Sequence, residues 1–391
     1  MTDRRGWAMV ATAAMANFVG FGILFSFGLF LSPLADEFDT STGAIAPLFS
    51  GSVFFYYLFS AVGGRLADVR GPRSIVAIGA VTLPLALLVS SFANSLWQLY
   101  VFYMPLAGIA VGSCYSPLIG AVGRRFDRQR PLAIAFLLTG LGGGSLALPL
   151  LIRALLDRMD WRGAFQVLAA ISAVVLGATM LAAIKEPAEH RGIRRQPVSL
   201  FRSAPFRRLY FSVVLIAPGF YAPLAFLNDY AVDQGISTGR AATILAVVGL
   251  GSFSTRLAFG GVAQRIGPLR QYRLSHMAML AALTLWLIAG GSFWLLVISA
   301  AIHGIGWAAW VTAAPLVLTE WFGAEDLGLL VGGFYTGLGF GALAGPAISG
   351  ALIDAAGYRP ALIGVIITTV LSLTALLVPL QGGSWSDVAV D

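Results

Sequence analysis

Charge is what this 391-residue sequence has least of. Asp, Glu, Lys and Arg together make up 11% of it, against about 25% in a soluble globular domain. It has one lysine, Lys185, and one cysteine, Cys114. A single cysteine cannot close an internal disulfide, which excludes a disulfide-stapled scaffold. No His/Cys cluster has zinc-site spacing, no GxxxxGK[ST] phosphate loop is present, and no catalytic triad can be assembled. No enzyme activity, cofactor or metal is therefore expected, and any work the chain does must draw on gradients. The formal charge of +7 is not gathered into a nucleic-acid patch and has another explanation.

Apolar runs are abundant instead. Hydrophobic residues make up 58% of the chain and the mean hydropathy is +0.83, values of an integral membrane protein. Runs near 20 residues, the length that crosses about 30 Å of hydrocarbon, recur at 7–33, 44–66, 74–93, 96–123, 131–153, 163–184, 208–228, 241–263, 274–291, 293–319, 329–350 and 361–380. They predict an all-α protein with twelve transmembrane helices. The first run is too long for a signal-peptide core and reads as a true first helix. With both termini inside, the inner segments hold 19 of the 25 Lys and Arg residues and the outer segments five. That asymmetry is the positive-inside rule and accounts for the basic balance.

The remaining basic residue is Arg256, inside the eighth run with no Asp or Glu in the same span. A guanidinium at membrane depth costs about 2.5–3.5 kcal/mol even on the most lenient scale, and it stays charged there. Such a group normally faces a water-filled cavity and an anion. The simplest anion is a substrate carboxylate; the alternative is an acid on another helix.

The longest polar stretch, 185–207, is basic and divides the chain into an N-terminal six-helix bundle (1–184) and a C-terminal one with a short cytoplasmic tail (208–391). The halves repeat weakly. Gly64, Ala67, Asp68 and Gly71 have counterparts at Gly260, Ala263, Gln264 and Gly267, offset by 196, and Pro149 matches Pro346 at an offset of 197. A duplicated six-helix unit with a site between its copies at mid-membrane is one way secondary transporters are built.

The segment Gly64-Arg65-Leu66-Ala67-Asp68-Val69-Arg70-Gly71-Pro72-Arg73 closely resembles the signature loop of the major facilitator superfamily. That resemblance implies two pseudo-symmetric six-helix bundles, with Gly64, Asp68, Arg70, Gly71 and Arg73 forming a conformational switch loop. Three further patches are similar to the monocarboxylate porter family: Arg5-Gly6-Trp7-Ala8, the stretch Arg125–Ala133 with Thr139–Gly144, and Asp229–Ser237. In that family the arginine of the eighth helix anchors the substrate anion, and Arg256 stands there. The chain also departs from the family. Ser252 replaces the Asp one turn before the arginine, Phe25 replaces a first-helix Lys, and Thr336-Gly337 stands where a dicarboxylate exchanger has a second cation. One fixed cation favours a monoanion and leaves the proton carrier open.

In this superfamily helices 1, 4, 7 and 10 line the cavity. His303, Trp307, Trp310 and Ala314 share one face of the tenth run. The indoles can donate to a carboxylate or pack between helices. His303 either carries the coupled proton or bonds a neighbouring helix. Tyr115 and Tyr335 carry hydroxyls that need partners at depth. Asn228 is either a substrate contact or an outer polar residue. Ser252 is placed to bond Arg256 or substrate, and Leu24, Phe25 and Leu141 are the expected apolar walls. The resulting expectation is a secondary transporter of small monocarboxylates, lactate- or pyruvate-like or aromatic, moved with a proton by alternating access. It would sit in the cell (inner or plasma) membrane as a monomeric unit. A proton-independent exchanger of organic anions and a drug or metabolite exporter are the alternatives.

Overall fold

The computed structural model describes residues 4–126, 129–182, 203–258, 266–322 and 327–377. It is helical throughout them. The helices are α1 (Arg4–Phe25), a short α2 (Leu31–Glu37), α3 (Thr42–Arg70), α4 (Pro72–Ser90), α5 (Leu96–Arg125), α6 (Arg130–Leu156), α7 (Trp161–Ala182), α8 (Ala204–Asp233), α9 (Thr238–Ala258), α10 (Pro268–Ala289), α11 (Phe293–Phe322), α12 (Leu327–Ala356) and α13 (Tyr358–Leu377). In a bilayer only intrahelical bonding satisfies the backbone of such apolar runs. Eleven of the long helices have the length and apolarity to cross a membrane; the other, α9, carries both Arg240 and Arg256. Exposed apolar side chains such as Val81, Val174 and Ile288 give the bundle an outer surface suited to lipid.

The first run is not one continuous helix. α1 ends at Phe25, and a single 3-10 turn, Phe27–Phe30, leads into α2. Ser26 Oγ turns back to donate to the Gly22 carbonyl at 2.6 Å. Gly28 lies against the carbonyls of Leu224 and Ala225 on α8, an approach that a side chain would block. The break thus lets this end of the first half close on α8.

Within the first half α1 packs on α6 and α7, and α3 and α4 on α5; within the second, α8 packs on α12 and α13, and α10 on α11. The halves meet along α3 against α12 and α6 against α9. Glycines set the distance at that second seam, since a β-carbon on Gly142 would stand 2.8 Å from the Phe253 α-carbon. The repeat is visible in backbone geometry as well. Gly71 and Gly267, 196 residues apart, both take positive φ (82° and 84°) and each precedes a proline that starts a helix.

The linker 185–207 falls outside the described residues up to 202. The surroundings of Gly64, the side chain of Asp68 and residues 259–265 of the second loop copy also lie outside what is described. Arg70 is exposed as the last residue of α3, and Arg73 is partly buried in the first turn of α4.

Candidate functional site

Arg256 lies close to the last described residue of α9, where the helix faces α6, and is only 5% exposed. Its Nη1 donates to the carbonyl oxygen of Leu138 on α6 at 3.2 Å. Its Nε and Nη2 are buried with no hydrogen-bond partner among the described residues. The ion pairs found among the described residues, Arg153 with Asp157 and Arg162 with Glu37, lie elsewhere. The buried carboxylate among those residues, Asp229, accepts from Ser32 Oγ at 2.5 Å. A fork of five donors is therefore met by one neutral carbonyl.

Around this guanidinium lies a cavity lined by Phe21 and Phe25 of α1, Tyr56 and Tyr57 of α3, Tyr115 of α5, Leu141 of α6, Trp307, Trp310 and Val311 of α11, and Tyr335 of α12. Eight of its eleven lining residues, Arg256 included, are aromatic. Their rings interlock edge to face: Phe25 on Trp307 at 4.8 Å, Phe21 on Tyr115 at 5.4 Å and Tyr56 on Tyr115 at 5.8 Å between centroids. The indole nitrogen of Trp307 is buried without an acceptor among the described residues, and that of Trp310 lies against the Tyr272 hydroxyl. The cavity volume is about 20 Å³, room for a water molecule and too small for an organic acid. The described conformation is thus closed around the site.

Seven of the residues singled out in the sequence meet at this cavity: Arg256, Tyr115, Tyr335, Trp307, Trp310, Phe25 and Leu141. Others stand beside it. Ser252 is buried with its hydroxyl unbonded, and its backbone closely approaches Gly304 of α11. Leu24 is buried next to Phe25 in the core. His303 is buried one turn before Trp307, ring centroids 6.4 Å apart. Asn228 is buried next to Asp229 near the C-terminal end of α8.

Phe21, Tyr56, Tyr57 and Val311 complete the lining and were not singled out in the sequence. Spacing carried part of the signal, since Phe21 sits one turn before Phe25 and Val311 one turn after Trp307. α8, expected to line the cavity, reaches it indirectly: the Tyr221 hydroxyl lies 2.6 Å from that of Tyr57.

One guanidinium, two tryptophans and four tyrosines line one apolar space inside a membrane-spanning bundle, with no carboxylate among the described lining residues. The comparisons agree. The sequence model of the Major Facilitator Superfamily matches residues 10–292 and 274–384. Mouse monocarboxylate transporter 11 is 33% identical over 401 aligned positions, covering 99% of this chain and 82% of that protein. The human protein of the same name is 31% identical over 372, covering 90% and 78%. A crystal structure of a mutant nucleoside transporter NupG superposes with a TM-score of 0.78 at 14% identity, covering 94% of this chain and 99% of that one; that likeness speaks to fold alone. The chain belongs to the major facilitator superfamily and, within it, to the monocarboxylate porter family. It is a multi-pass membrane transporter.

Proposed function

We propose that this protein is a secondary active transporter of small monocarboxylates, lactate- or pyruvate-like or aromatic, moved together with a proton by alternating access. The observation that carries this reading is Arg256, with Nε and Nη2 buried and without a hydrogen-bond partner among the described residues, in a cavity that Trp307 and Trp310 also line. Buried donors are almost always satisfied, and a carboxylate brings several lone pairs to one place. Binding also neutralises the guanidinium, which lowers the cost of moving the halves past each other. A proton carried in the same step makes the net movement nearly electroneutral. His303, one turn from Trp307, is the candidate proton carrier. The positive-inside pattern supports placement in the cell (inner or plasma) membrane with both termini cytoplasmic, and the complete cavity within one chain supports a monomeric unit.

A second reading, exchange of organic anions without a proton, draws on Ser252 in the place of the family Asp and on a lining without a carboxylate. Uptake of labelled lactate, pyruvate and an aromatic monocarboxylate into proteoliposomes, with and without an inward proton gradient, separates the two. Stimulation by the gradient is expected for symport. Indifference to pH with a requirement for internal anion establishes exchange, and no uptake of any of the acids overturns both.

A further inference from the structure

The cavity wall contains a contact between the two halves that substrate binding alone does not explain. Tyr57 on α3 and Tyr221 on α8 place their hydroxyls 2.6 Å apart, and both side chains are buried. Tyr57 lines the cavity. The Tyr221 ring stands behind that lining, 6.2 Å from Trp307 and 6.4 Å from Phe25 between centroids. The bond therefore crosses from one half to the other beside the place a substrate would occupy.

The helix under Tyr221 is weakened on both sides. Pro218 and Pro223 lie inside α8, and neither can donate a backbone bond to the carbonyl one turn earlier. The Val214 carbonyl, which Pro218 leaves without its helical donor, abuts Gly341 on α12. Two missing rungs five residues apart make this stretch of α8 a place for a bend. Tyr221 thus rides on the segment best able to move, and it is tied to a helix of the other half.

We propose that the Tyr57–Tyr221 hydroxyl pair is a clasp between the halves at the cavity wall, released in each cycle, and that it determines specificity by limiting how large a substrate body is admitted beside Arg256. A cavity of about 20 Å³ must enlarge to take any organic acid. The clasp opposes that enlargement. A small acid needs limited opening, whereas a ring-bearing acid needs the tyrosines apart. Loss of either hydroxyl breaks the bond completely, so the paired variants must be non-additive.

The selectivity half of this proposal rests on the transport reading above; the access half does not. The test uses the full-length chain with Tyr57→Phe, Tyr221→Phe and the double variant. In proteoliposomes, the ratio of phenylacetate to lactate uptake is expected to rise about 3- to 10-fold in each single variant, the span of one ordinary hydrogen bond, and no further in the double. Access is read without substrate by maleimide labelling of Val311→Cys in a Cys114→Ser background. Labelling is expected to quicken several-fold in each Phe variant, again without further gain in the double. Unchanged labelling, or effects that simply add, overturns the clasp. Faster labelling with an unchanged uptake ratio overturns its role in specificity. If neither acid is transported while labelling quickens, the transport reading fails and the clasp stands.

Discussion

Arg256 on α9 donates through Nη1 to the backbone carbonyl of Leu138 on α6, 3.2 Å away. A charged side chain of the second half is held by a neutral group of the first. A carboxylate would offer the same guanidinium shorter, charge-assisted and two-pronged bonds, so on the proposed function substrate binding and the seam between the halves would compete for one group. Such competition is how a ligand acquires different affinities for open and closed states.

Replacing the anchor tests this directly. Arg256→Gln is expected to lower uptake about 100-fold or more, since a buried charge pair that loses one partner forfeits about 3 kcal/mol or more. Arg256→Lys keeps the charge but not the planar fork and should fall between Gln and wild type. Initial rates in proteoliposomes, with detergent-solubilised melting as a folding control, give the answer. Wild-type uptake by the Gln variant would remove Arg256 from the mechanism.

Trp307 separates donor from wall. Trp307→Phe keeps an aromatic face against Phe25 but deletes the N–H that lacks an acceptor. If that N–H binds substrate, KM rises about 10-fold, the scale of a hydrogen bond to a charged group, with little change in melting. An unchanged KM makes the indole packing material only.

The seam between α6 and α9 has no space for a methyl group. A β-carbon on Gly249 would meet the backbone of Ser145 and Leu146. Gly249→Ala is expected to slow uptake at least about 10-fold, because overpacking costs about 1–3 kcal/mol and here penalises the closed arrangement specifically. Normal uptake by this variant would show that the halves need not approach so closely during the cycle.

The rim at the Asp229 end of α8 is held by carboxylates on the second half. Ser32 donates to Asp229, and Ser41 Oγ and the Gly43 N–H donate to Asp354 at 2.6 and 3.3 Å. Asp229→Asn weakens a charge-assisted bond and should shift the population toward the outward-open form. Faster labelling of a cavity cysteine by an impermeant reagent added outside is the expected result. No change in labelling would mean that Asp229 is not part of the closure.

His303→Gln addresses the proton. If His303 carries it, uptake loses its acid stimulation while a pH-independent component persists. An unaltered pH profile would eliminate His303 as the carrier.

Much of this site was legible in the sequence, for a physical reason particular to membranes. Arg256 stands out because hydrocarbon tolerates so few charges, and Trp307 and Trp310 because one helical face carries both. The loop at Gly71 was read from its resemblance to the superfamily signature, and the positive φ of Gly71 before Pro72 fits the tight turn expected there. Tyr56 and Tyr57 were not readable, since tyrosine is common in apolar helices and neither shares a helix with a cavity residue singled out in the sequence. Ser26 gave no warning of the break after α1, because that break is stabilised by the approach of Gly28 to α8.

The sequence by itself determined the membrane class, the long apolar helices, the uneven placement of basic charge between successive loops and the isolated cation. These follow from hydropathy and charge summed along one helix at a time. Tertiary structure alone decided which side chains converge on Arg256, that Leu138 holds it, and that Tyr57 meets Tyr221. Those relationships depend on how each helix is rotated about its axis and how closely the halves approach. Both are fixed by glycine contacts between segments far apart in the chain.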